Sequence, residues 1–218
     1  MRAYSDKPVT SDLIHRCVES ARLAPSACNS QPWHFIVVTE AERRNALARC
    51  SVPPGGVMNT FAAQAPVIVA IVAERPSIAS QIGSALKKKP FYLIDIGIAA
   101  EHFCLQATEL GLGTCMIGWF QENETRKLLG IPRGRRPVLL ITLGYPPERA
   151  AEGASAGVSL GASPGASSGP PSASPSVSPG SSDASPGASP SPPKAPPKKR
   201  KPLESIMSIE RYGARADH

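Results

Sequence analysis

Between Pro25 and Trp33 the chain reads PSACNSQPW, with Ser26, Asn29, Ser30 and Gln31 inside six positions. Small residues such as Ser26 and Ala27 let a backbone approach a ligand closely, and hydroxyls and amides offer donors and acceptors without a charge. A flat polar heterocycle suits such a turn. A merely tight connection between a helix and a strand would use the same residues for local bonds. A second constellation, Lys198 to Lys201 (KKRK), stands directly before PLESI. Two cations one residue apart in an extended arm, Lys198 and Arg200, can both reach one phosphate, the arginine with its fork and the lysine as a point charge. A solvated basic patch is the plain alternative. No Ser-His-Asp set and no carboxylate pair is evident, and no side chain is singled out as catalytic.

These residues need elements to place them. Ser11 can cap a helix in which Leu13, Ile14, Cys17, Val18 and Ala21 recur at helical spacing, and Pro25 stops it. Phe35 to Val38 reads as a strand covered on both faces, followed by a charged helix over 40–49. Val67 to Val72 and Pro137 to Leu143 are two more buried strands, and Thr114 to Gly118 is a short one. Phe91 to Leu110 forms the longest helix, ended by Gly111; its His102, Gln106 and Glu109 make a solvated stripe. A short helix is possible before Lys87 to Lys89, and a charged one spans 121–129, closed by Gly130. The alternation of strands and helices alone suggests a doubly wound parallel sheet.

Composition divides the chain. Eleven of its 24 prolines lie between 151 and 197, and no aromatic residue occurs between Tyr145 and Tyr212. Residues 147–197 are low-complexity Ala, Ser, Pro and Gly, expected to be a disordered insertion between a domain of residues 1–146 and an arm of residues 198–218. The net charge of +7 is scattered, with no aromatic platform beside either basic run, which argues against nucleic acid as a partner. Five widely spaced cysteines without a metal-ligand pattern support neither a disulfide framework nor a metal site, and suggest reduced thiols in a cytoplasmic protein. Cys28 is expected to be a small packing residue, and His34 to pack. Met1 leads directly into polar residues, so no signal peptide is expected, and no apolar run approaches the length of a membrane span.

PSACNSQPWHF, with the AP at 65–66, DIGIAAEHFCLQA at 95–107, GLGTCMIGWF at 111–120, ITLGYP at 141–146 and KKRKPL at 198–203, resembles the nitroreductase family. The resemblance implies an α+β fold, a mixed and mostly antiparallel sheet wrapped by helices, in a homodimer with exchanged tails. It implies FMN as cofactor, NADH or NADPH as electron donor, and a small acceptor such as a nitroaromatic or quinone. By resemblance, Pro25, Ser26, Ala27, Asn29 and Gln31 serve the flavin ring and ribityl chain across the dimer interface. Arg2 matches a cation at the pyrimidine edge, with Asn59 near it. Met116, Ile117 and Gly118 lie by the ring face, and Lys198 and Arg200 hold the phosphate. The family's earlier basic pair and serine do not precede Arg2 and Tyr4, so either the true start lies upstream or part of the phosphate grip is lost. Gly118 replaces a glutamate of some relatives, which puts carboxylate assistance in doubt. Two other readings stand beside this one: a relative that fragments flavin or dehalogenates an aromatic, and a flavin-binding or scaffolding protein with weak turnover.

Overall fold

A computed structural model describes residues 1–53, 55–147 and 198–214 of the 218-residue chain. The expected insertion therefore lies outside the described residues, apart from Pro147.

Helix α1 (Ser11–Arg22) buries Ile14, Cys17, Val18 and Ala21, the stripe its spacing sets out. Ser11 is its first residue and Thr10 takes the cap position. The helix ends at Leu23, two residues before Pro25, which cannot donate to a further turn. Strand β1 (Trp33–Val38) is buried throughout. Helix α2 (Ala41–Cys50) follows, with the Glu40 carboxylate accepting from the amides of Glu42 and Arg43 at its start. Strand β2 (Val67–Ala73) leads through α3 (Ile78–Lys87) to the long α4 (Phe91–Glu109). Gly111, at a φ of 73° that a side chain would strain, turns the chain out of α4. Strand β3 (Gly113–Ile117), helix α5 (Glu122–Leu128) and strand β4 (Arg136–Gly144) complete the first stretch. The tail adds a single turn, α6 (Leu203–Ile206), and strand β5 (Met207–Ile209).

The five strands form one sheet in the order β3-β4-β2-β1-β5. Three of the four pairings are antiparallel and only β1 with β5 is parallel. The sheet is thus the mixed, mostly antiparallel one that the resemblance implied, and not the doubly wound sheet that bare alternation suggested. Apolar side chains of β1, β2 and β4 feed two cores. On one face Phe35, Val69 and Ile141 meet Val18 of α1 and Phe103 of α4. On the other, Ile36, Ile68 and Leu140 pack with Leu47 of α2 and Leu129. Burial on both faces is why these strands read as continuous apolar runs. Among the described residues, no helix is long and apolar enough to cross a membrane.

Candidate functional site

The chain between α1 and β1 is a 3-10 turn over Ala27–Asn29, with Cys28, Asn29 and Gln31 all at positive φ (52°, 51° and 48°). Three left-handed residues without a glycine cost of the order of 1 kcal/mol or more each, so the surroundings must impose them. Ser26 Oγ accepts from the Gln31 amide at 2.9 Å, and Ser30 Oγ accepts from the Ser77 amide at 2.7 Å. From α4, Asp95 Oδ1 accepts from the Ala27 amide at 3.0 Å. Asp95 is only 4% exposed, and its Oδ2 has no partner among the described residues. Burial pushes this carboxyl above the usual range, against the opposing pull of the Ala27 hydrogen bond. Sequence reasoning missed Asp95, although a lone acid in the apolar run FYLIDIGIAA was a usable signal. Cys28 corrects an expectation: it is exposed, not packed.

The basic arm lies directly on this turn. Asn29 Nδ2 donates to the carbonyl of Lys199 at 2.7 Å, and Arg200 donates to Asn29 Oδ1 at 2.6 Å and to the Leu23 carbonyl at 2.7 Å. The Lys201 amide donates to Gln31 Oε1 at 2.8 Å, and Lys201 Nζ to the Gln31 carbonyl at 2.8 Å. Lys198 and Lys199 are exposed beside it. Desolvation lowers the Lys201 ammonium below its usual range, opposed by the field of Glu74.

Arg2, Asn59 and the 116–118 segment gather elsewhere. The Arg2 guanidinium stands 5.7 Å over the Phe61 ring, and the amide of Asn59 (φ 63°) donates to the carbonyls of Ser51 at 2.9 Å and Trp119 at 3.3 Å. Met116 is partly exposed and Ile117 is buried, while a Cβ on Gly118 would meet no atom within 4 Å. The N-terminal arm is tied down beside them: the Met1 ammonium donates to the Thr114 carbonyl at 2.5 Å, and Tyr4 shares a hydrogen bond with Thr142 at 2.6 Å. Burial pushes the Tyr4 phenol up to about 12. Among the described residues, no hydrogen bond links this group to the turn and arm. Strand order explains the separation: β3 and β1 have β4 and β2 between them, about 15 Å at ordinary strand spacing.

His34, expected to pack, is buried between tail and sheet. Its Nδ1 donates to the Ser205 carbonyl at 3.3 Å, its Nε2 accepts from Ser208 at 2.9 Å, and burial holds it below its usual pKa.

The α+β domain thus carries a polar, small-residue turn, a basic arm docked on that turn and a second polar group across the sheet. The sequence profile of the Nitroreductase family matches residues 1–52 and 55–145, and the chain belongs to that family. It is 33% identical over 153 residues to a protein of Methanothermobacter thermautotrophicus, provisionally named for NADH dehydrogenase and NAD(P)H nitroreductase activity, covering 68% of this chain and 73% of the relative. It is 30% identical over 164 residues to an FMN reductase (NAD(P)H) of Bacillus subtilis, covering 70% and 64%. In fold it is similar to the crystal structure of a nitroreductase family protein from Clostridium novyi NT, with a TM-score of 0.65 at 22% identity, over 99% of this chain and 90% of that one.

Proposed function

We propose that this chain is an FMN-dependent oxidoreductase that takes hydride from NADH or NADPH and passes it to a small acceptor such as a nitroaromatic or a quinone. Family membership supports this, as do relatives named for FMN, NAD(P)H and nitro reduction. The observation that carries it for this chain is the docking of the Lys198–Lys201 arm on the Ser26–Gln31 turn, which puts cations beside a polar, small-residue surface. These residues fit FMN: Asp95 Oδ2 at the turn is buried without a partner among the described residues, there is open space above Gly118, and there are basic groups for a phosphate.

When bound, the flavin supplies the hydride chemistry, and the chain binds and orients it. Pro25, Ser26 and Ala27 would serve the ring and ribityl chain, Lys198 and Arg200 the phosphate, and Met116 to Gly118 the ring face. Arg2, with Asn59 near it, would stand at the pyrimidine edge, where a cation favours negative charge on the reduced ring. Because the two groups sit on opposite sides of the sheet, one site draws on both protomers of a homodimer, with the turn and arm of one copy facing Arg2 and Gly118 of the second.

The test is spectroscopic. Purified protein should show a yellow flavin spectrum, or acquire one with FMN, and NADH or NADPH should bleach it without oxygen. A colourless protein that takes up neither FMN nor riboflavin overturns the reading.

A further inference from the structure

Asn29 and Gln31 have amide side chains aimed at a segment about 170 residues away, and both reach it from left-handed backbone positions. Gln31 is 4% exposed, so water cannot satisfy its amide. Its Nε2 donates to the Asn29 carbonyl at 3.1 Å and, more weakly, to the Lys199 carbonyl at 3.5 Å. Its Oε1 accepts from the Lys201 amide. A primary amide has two donor hydrogens, and at Gln31 both have a carbonyl within 3.5 Å, that of Lys199 in the arm among them. Asn29 gives one of its two amide hydrogens to the Lys199 carbonyl, and its oxygen accepts from Arg200. Between them the two side chains meet a carbonyl and an amide of the arm, alternately accepting and donating as a neighbouring strand would. A primary amide carries its donor and its acceptor on separate atoms of one short stem.

We infer that Asn29 and Gln31 are positioning residues that hold the backbone of Lys199–Lys201, and so fix the phosphate-side cations to the turn, rather than ligands of the flavin ring. This deepens the FMN reading and rests on it. The left-handed backbone at both residues is the local cost of aiming the amides outward at the arm. The arm needs such a lock, because four consecutive cations repel one another and leave the segment little intrinsic preference for a compact path.

Gln31→Leu keeps the bulk and removes both functions, and Asn29→Ala is the second variant should the first fold poorly. Two measurements on each full-length protein decide the matter. In the flavin-free state, amide hydrogen exchange across 198–206 should speed up in either variant while exchange across 91–109 stays at the wild-type rate. In titrations, FMN affinity should fall roughly tenfold or more, the loss of a hydrogen-bonded cation contact, while riboflavin affinity is unchanged. Equal losses for FMN and riboflavin would make these residues ring ligands, and unchanged exchange in the arm would remove the lock; either result overturns the inference. If wild-type protein binds neither flavin, the functional reading falls separately, and the exchange data still decide whether the amides hold the arm.

Discussion

Asp95 joins the longest helix to the polar turn over Ala27–Asn29 through one oxygen, and its second oxygen has no protein partner among the described residues. Burial raises its pKa above the ordinary 3.8. A carboxyl shifted upward in the folded state takes up a proton on folding between its unfolded and folded pKa values. Its contribution to stability is therefore present at low pH and lost as pH rises through that interval. Glu19 and Glu122 run the opposite way. Hydrogen bonds from Arg22 and Arg136 hold them low, and their contribution is lost as pH falls. Asp95→Asn isolates the Asp95 part. Urea unfolding of flavin-free protein from pH 4 to 7 should show the variant gaining on the wild type as pH rises, and parallel curves would refute the assignment. The turn's residues were legible in the sequence as a cluster of small and amide groups. What Asn29 and Gln31 hold was not, because their partners lie beyond a long low-complexity stretch and no spacing rule connects them.

Among the elements, the tail is tied to the domain at points spread from Lys199 to Tyr212. Beyond the arm and the β1–β5 pairing, Glu210 Oε1 accepts from the Thr39 amide at 2.8 Å, the Thr39 hydroxyl at 3.0 Å and the Glu40 amide at 2.9 Å. Its Oε2 accepts from Arg43 at 3.1 Å. Tyr212 donates its hydroxyl to Glu74, which also accepts from Arg135 at 2.5 Å. Glu210→Ala removes four charged hydrogen bonds at a half-buried position, where water replaces part of what is lost, so the cost should be about 1–3 kcal/mol. Hydrogen exchange should quicken in 203–209 and not in α4; an equal rise in both would mean that the tail does not open separately. The buried strands β1, β2 and β4 and the helix α4 fall within a few residues of where apolar runs and periodicity put them. Strand β5 was unreadable: three residues give no period, and its partner is β1, far back in the chain. Strand direction was equally hidden, since an apolar run is the same read parallel or antiparallel; only the resemblance supplied it.

At the scale of the molecule, α4 turns Ile96, Ala99, Ala100, Phe103 and Ala107 into the core and leaves Leu93, Ile94 and Leu105 outside, the last at 60% exposure. Trp119, next to Gly118, is 67% exposed, and Ile78, Ile82 and Leu86 form an exposed stripe on α3. Scattered apolar residues are ordinary on a surface, but a stripe on one helix, several on a second and a large exposed aromatic beside Gly118 are what a partner surface would cover. On the proposed FMN reading that partner is a second copy of this chain, because a site divided about 15 Å apart would close when two turns meet two Gly118 loops. A stable dimer needs about 1,000 Å² or more of buried surface, which α3 and α4 together could supply. Sedimentation at micromolar concentration should therefore give a dimer that carries flavin. Leu105→Glu puts a charge on the exposed side of α4 without touching the core. It should yield a folded monomer with wild-type helical content that has lost its flavin, because neither half of the site holds the cofactor alone. A folded, flavin-loaded monomer of either protein would show instead that one protomer completes the site.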